Sequence, residues 1–184
     1  MSDTKEHIIQ LGEDLIRNIG YNSFSYLDIS KPLEIKNAAV HYYFPKKTDL
    51  AIEILKRSRD KFQKMMDESR GDTALSKLKK FIMIYTESNK QDKMCLIGAM
   101  ITDVSTFEPG LQDELKITVD DIITKLTYIL KEGMDKGEFS FKETPKTKAL
   151  LVITNMLASL QLSRVTGKRD YALIEKAVID GIRK

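Results

Sequence analysis

Tryptophan is absent from this 184-residue chain, cysteine occurs once, histidine twice and proline four times. Each shortage excludes something. A single cysteine, Cys95, excludes an internal disulfide and fits a reducing compartment. The two histidines, His7 and His41, are far apart, and no His-Glu-x-x-His zinc helix occurs. There is no Gly-rich phosphate loop and no strained nucleophile elbow. The chain is therefore expected to be no enzyme and to hold no metal or cofactor. No apolar run approaches the roughly 20 residues that span a bilayer. The polar start (Asp3, Lys5, Glu6) lacks the apolar stretch of a signal peptide. The expectation is a soluble cytoplasmic protein with no membrane partner.

What is present suits an all-helical fold. Scarce proline leaves long stretches uninterrupted, and the apolar residues recur with helical rather than strand period. Hydrophobic residues make up 42% and charged residues 31%, the proportions of an ordinary folded protein. A first helix is expected from about residue 4 to Ile19, with Ile8, Leu11, Leu15 and Ile19 inward and Gly20 as a left-handed stop. Ser25 and Asp28 have the spacing of a capping box and open a second helix carrying Ile29 and Leu33 inward, with Pro32 inside it. A third short helix packs through Val40 and Phe44 and ends at Pro45. These three closely connected helices form a helix-turn-helix arrangement. About six further helices follow, with Thr144-Pro145 as an N-cap and first-turn proline and with breaks at Gly71, Pro109-Gly110, Gly137 and Gly167. The natural division is a helix-turn-helix domain over 1–47 and a larger helical domain over 48–184.

The run from Ile35 to Phe44 carries the strongest functional signal. A short helix usually covers its outer face with Glu, Lys and Gln. This one presents Lys36, Asn37, His41, Tyr42 and Tyr43 instead, with Lys46 and Lys47 just beyond. Residues 1–49 hold six Lys or Arg against seven Asp or Glu, a net charge of −1, yet Ile35–Thr48 contains three lysines and no acid. Directed contact with a few phosphates of double-stranded DNA fits this better than a diffuse basic coat. Lys36 and Asn37 stand at the entering end of the helix, where Lys suits guanine and Asn suits adenine. Ala38 keeps the helix slim enough for close approach. Tyr42 and Tyr43 can donate phenol hydrogen bonds to phosphates, although one of the pair is expected to turn inward. Ser25 can offer its hydroxyl to a phosphate. Lys47, at the start of the fourth helix, can hold one together with free backbone N–H groups.

These residues resemble the DNA-binding domain of the tetracycline-repressor (TetR/AcrR) family over about Lys5–Leu50. Gly20-Tyr21 matches the glycine and aromatic that end that family's first helix. Ser25 ahead of Asp28-Ile29-Ser30 matches its second, Glu34-Ile35-Lys36 its turn, and Val40-His41-Tyr42-Tyr43-Phe44-Pro45-Lys46-Lys47 its recognition helix and exit. There are departures. His41 stands where the family favours Tyr, Glu34 replaces the turn Gly, and Lys46 replaces a capping Ser or Asn. The resemblance implies a dimeric, ligand-responsive DNA-binding regulator, most simply a repressor on a palindromic operator.

The second half supports that expectation in outline. The segment after Pro145 is apolar nearly all round, so a single copy leaves one side uncovered. A second copy is expected to cover it, through Leu150, Ile153, Leu157, Leu160, Ile174 and Val178. Met83, Tyr85, Cys95, Met100, Phe107 and Tyr128 are candidates to line a pocket for a small apolar or amphipathic effector, since Met and aromatic side chains adapt to such shapes. The competing reading is a helical lipid or small-molecule carrier, or an interaction module that does not read DNA.

Overall fold

The structure, a computed structural model, describes residues 3–183. The outer ends of both expected domains, residues 1–2 and 184, lie outside it. Nine α-helices account for most of the described residues. They are α1 (Asp3–Ile19), α2 (Tyr26–Ser30), α3 (Asn37–Tyr43), α4 (Lys47–Glu68), α5 (Ala74–Lys90), α6 (Leu96–Thr102), α7 (Pro109–Asp135), α8 (Pro145–Thr166) and α9 (Lys168–Asp180). A single 3₁₀ turn, Val104–Thr106, joins α6 to α7. No strand forms among the described residues; the one β contact is an antiparallel bridge between Phe139 and Arg183. The chain divides into two compact units, Met1–Phe62 with Leu96–Thr118, and Gln63–Cys95 with Val119–Lys184.

In the first unit, α1 buries Ile8, Ile9 and Ile16, while Ile19 is half exposed and lies off the packed face. Gly12 lets α1 close onto α4: a Cβ there would lie 3.0 Å from the Leu50 side chain and 3.3 Å from that of Ile54. Helix α1 also packs against α2 and α6. Gly20, at φ +92°, stops α1 with its N–H on the Ile16 carbonyl. Helix α2 is shorter than the sequence suggests. It ends at Ser30, so Pro32 lies in the following turn and breaks no helical hydrogen bond, and Leu33 is only half-buried outside it. Glu34 takes φ +54°, the left-handed conformation its place in the turn demands, and carries a Cβ where glycine would be relaxed. The Ile35 N–H then returns to the Ser30 carbonyl at 3.0 Å and closes the turn between α2 and α3.

In the second unit, α5, α8 and α9 pack together. Thr144 caps α8 by accepting the Thr147 N–H at 3.2 Å, with Pro145 in the first turn. The Glu138 carboxylate accepts the Ala74 and Leu75 N–H groups at 3.2 and 3.0 Å, an anionic cap on α5 supplied from the loop after α7. Phe139 lies across Gly133 so closely that a Cβ would meet its ring at 2.0 Å. Lys77 donates to both oxygens of Glu132 at 3.0 and 2.8 Å, tying α5 to α7. Thr86 reaches Tyr171 Oη at 3.1 Å and Glu175 Oε1 at 2.9 Å, tying α5 to α9. Burial pushes the Tyr171 phenol up to about 12, so it stays a neutral partner.

Candidate nucleic-acid interface

Seven residues give α3 barely two turns, and the burial pattern fixes which way they point. Val40 is fully buried and Phe44, the C-cap, nearly so, while Ala39 and Tyr43 are half-buried. That leaves Asn37, Ala38, His41 and Tyr42 exposed, at spacings of one and four residues that form one face of a helix. Lys36, the exposed N-cap, extends the face in extended backbone at ψ 143°. Tyr42 is 80% exposed, and its ring meets that of Tyr43 edge-on at 5.2 Å. The two tyrosines thus divide as the sequence suggests, one projecting and one partly turned in. His41 rests on the Tyr26 ring at 4.8 Å, with Nδ1 3.4 Å from the Pro45 carbonyl.

Two side chains that sequence reasoning did not single out tie the elements of this unit together. Tyr26 Oη donates to the Phe44 carbonyl at 2.8 Å, so the first residue of α2 grips the end of α3. Burial raises the Tyr26 phenol well above its ordinary range and keeps that donor protonated. Asn22, in the loop after α1, donates its N–H to Asp103 Oδ2 and its side-chain amide to Thr106 Oγ1, both at 3.1 Å. Beside it, Tyr21 packs edge-on against Phe107 at 4.9 Å. No local pattern marks these partners, because they are some 80 residues apart in sequence.

The flanking basic residues fall into two groups. Lys46 is exposed. Its N–H donates to Asp49 Oδ2 at 2.9 Å, so Asp49 provides the cap that Lys46 itself cannot, and its ammonium lies 3.3 Å from Glu108. Lys47 is half-buried and engaged within the fold. Its ammonium donates at close range to the Phe24 carbonyl and lies 3.9 Å from the centre of the Phe24 ring and 4.7 Å from that of Tyr21. Ser25 is also already engaged: its N–H and hydroxyl both donate to Asp28 Oδ2, at 2.7 and 2.8 Å, and hold that carboxyl below its ordinary range.

No family model matches the chain. The TetR transcriptional regulator from Legionella pneumophila superposes with a TM-score of 0.87 at 30% identity, covering 100% of this chain and 99% of that one. The chain belongs to the TetR family of transcriptional regulators. A TetR-family regulator from Agrobacterium tumefaciens shares the fold at a TM-score of 0.89 and 22% identity, over 98% of each chain. An uncharacterized HTH-type transcriptional regulator from Lactococcus lactis subsp. lactis is 24% identical over 95% of this chain and 89% of its own length. The α2–turn–α3 unit is thus the helix-turn-helix of a DNA-binding, ligand-responsive TetR-family regulator, and the reading as a carrier or a non-DNA module is not favoured.

In this TetR-family chain the expected effector residues are distributed over both units. Met100 and Phe107 are buried in the first unit, where Phe107 packs on Tyr21. Tyr85 and Cys95 are buried in the second, and burial pushes the Tyr85 phenol well up. Met83 is 50% and Tyr128 67% exposed, because α5 buries Leu78, Phe81, Ile82 and Tyr85 while α7 buries Leu126, Ile129 and Leu130, which leaves 83 and 128 on the outside.

On α8 and α9 the residues expected at a contact between copies differ in exposure. Leu150 and Ile174 are exposed, and Ile153, Leu157 and Val178 half-buried. Leu160 differs: it is 4% exposed and packs inside its own unit. Leu151, Leu162, Val165 and Leu173 are exposed as well and extend the apolar face beyond the expected residues. A groove of about 240 Å³ between the two helices is lined by Leu151, Ile174, Val178 and their neighbours. Helix α8 is also, by length and composition alone, apolar enough to cross a bilayer, contrary to the expectation of no such run. Its packing against α5 and α9, with Ser163 donating to Asn89 Oδ1 at 2.9 Å, is that of a core helix in a bundle.

Proposed function

We propose that this regulator is a cytoplasmic repressor that binds a palindromic operator as a homodimer and leaves it when a small apolar or amphipathic effector occupies the helical domain. The functional division is taken as 1–47 for the DNA-reading head and 48–184 for effector binding and dimerisation. The observation that carries the reading is the outward face of α3, where Lys36, Asn37, Ala38, His41 and Tyr42 stand exposed with no acid in the helix. Asn37 is assigned to adenine and Lys36 to guanine in the major groove. Tyr42, Tyr43 and Ser25 are assigned to backbone oxygens, and Lys46 exchanges its exposed pairing with Glu108 for a phosphate. Covering α8 and α9 with a second copy sets the two α3 helices about one DNA turn apart, roughly 34–36 Å. The decisive experiment is fluorescence binding to a duplex from the region upstream of its own gene. Binding is expected to weaken steeply with salt and to be lost when Asn37, His41 and Tyr42 are all replaced by Ala. Undiminished binding by that folded triple variant would refute the assignment.

A further inference from the structure

We infer that His41 meets DNA as an imidazolium, so that each DNA-reading head takes up a proton when it binds. The inference rests on the reading of the α3 face as a DNA surface. His41 is exposed on that face, and two contacts orient its ring. The ring meets that of Tyr26 at 4.8 Å and 70°, and Nδ1 lies 3.4 Å from the Pro45 carbonyl oxygen. A carbonyl oxygen only accepts, so Nδ1 carries a hydrogen. The proton left to titrate is the one on Nε2. Neutral His41 therefore offers a lone pair at Nε2, and protonated His41 offers a second N–H together with a positive charge.

Position decides what Nε2 meets. Asn37 stands at the entering end of α3, the end that reaches base edges in a helix-turn-helix, and His41 lies one turn beyond it. That turn is left to the phosphates, whose oxygens are acceptors on a polyanion. A lone pair aimed at them repels, while a charged N–H binds. The free protein supplies no substitute anion. The charged groups around His41 are Glu34 in the turn before α3, Lys36 at its N-cap, Asp28 on α2, Lys46 and Asp49 at the start of α4, and Lys5 of α1, 5.6 Å from the centre of the Phe44 ring. Asp28 is held by Ser25, and Asp49 by the Lys46 N–H. Burial keeps the Tyr26 phenol protonated and so neutral. Among the described residues no carboxylate forms an ion pair with His41. The imidazolium thus gains its anionic partner only from DNA, and a proton held more tightly in the complex than in the free protein is taken up on binding.

The probe is a duplex enriched from a random pool by the wild-type protein, with affinity followed at constant salt across the ordinary histidine range. Between about pH 8 and about pH 6 the affinity is expected to rise roughly tenfold per head, or about a hundredfold for a dimer. Calorimetry near neutral pH, in buffers of different ionisation enthalpy, counts the protons, and between about half and one per head is expected. His41→Gln, whose amide donates at every pH, should flatten the profile and abolish the uptake. His7→Gln, which removes the other histidine, should change neither. Uptake retained in His41→Gln, or wild-type affinity that stays level or falls on acidification, overturns the inference; a fall is what a neutral Nε2 accepting from a base amino group would give. If His41→Gln fails to fold, the wild-type proton count decides, and a count of zero overturns the inference. A wild-type protein that enriches no duplex at either pH refutes the DNA reading and this inference together, while pH-independent binding refutes the inference alone.

Discussion

Tyr26 and Phe44 are joined by a single hydrogen bond, phenol to carbonyl at 2.8 Å, which links the first residue of the scaffold helix to the C-cap of the recognition helix. Both residues are buried, so the carbonyl has no water to turn to when the phenol is removed. Tyr26→Phe leaves the ring in place and orphans that acceptor. The expected loss is about 1–3 kcal/mol of stability, the desolvation penalty of an unpaired buried polar group. Urea unfolding should show a lower midpoint at an unchanged slope. DNA affinity should fall as well, although Tyr26 itself is not on the exposed face.

Position along α3 separates reading from folding. Asn37 is exposed and Val40 fully buried, although only three residues separate them in one short helix. Asn37→Ala should leave stability within about 0.5 kcal/mol of wild type. It should relax discrimination at one base pair by about 1–3 kcal/mol, read by competition among single-base operator variants. Val40→Ala should do the reverse. It removes two buried methyl groups and opens a small cavity, at a cost of about 2 kcal/mol in unfolding free energy, with the base preferences kept. Altered base preferences in Val40→Ala but none in Asn37→Ala would reverse the assignment of the two faces.

Much of this division could be read before any coordinates, and the failures share a cause. Local signals located their features well. Gly20 stops α1, Thr144-Pro145 opens α8, and the outward set of Lys36, Asn37, Ala38, His41 and Tyr42 follows from helical period with Val40 and Phe44 inward. Long-range contacts were hidden. Lys47 has the right place for a phosphate contact, but its fate depends on where the α1–α2 loop carries Phe24 and Tyr21. Met83 and Tyr85 look alike in a list of pocket formers, yet they lie two residues apart in one helix and face opposite ways. Pro32 was misplaced because α2 stops after five residues, a length set by the closing Ile35–Ser30 hydrogen bond rather than by propensity.

Acid should loosen the start of α2. Asp28 accepts from the N–H and the hydroxyl of Ser25, and these bonds, chiefly the backbone one, lower its pKa in the folded protein. The folded state therefore favours the ionised carboxylate. The stabilisation is present in full above the ordinary Asp value of about 3.9 and is lost as pH falls through the lowered folded value. Asp28→Asn should accordingly melt below wild type near neutral pH, and the gap in Tm should narrow as the pH falls below the ordinary Asp value through the lowered folded one. A gap independent of pH would show that the charge at this cap contributes nothing.

Self-association should depend on the apolar face of α8 and α9 and not on the residues behind it. Ile174 is 38% exposed and lines the groove between those helices, whereas Leu160 is 4% exposed and packs within its own unit. Ile174→Glu puts a charge on the face a second copy would cover, and burying it unpaired is strongly unfavourable. Sedimentation equilibrium should find a monomer with undiminished helical circular dichroism. Operator affinity should collapse, since one head alone lacks the second half-site. Leu160→Ala should instead lower the unfolding free energy by about 2–5 kcal/mol through the cavity it leaves. At concentrations where the protein remains folded, it should still associate. A dimeric Ile174→Glu variant with wild-type operator affinity would place the contact between copies on some other surface.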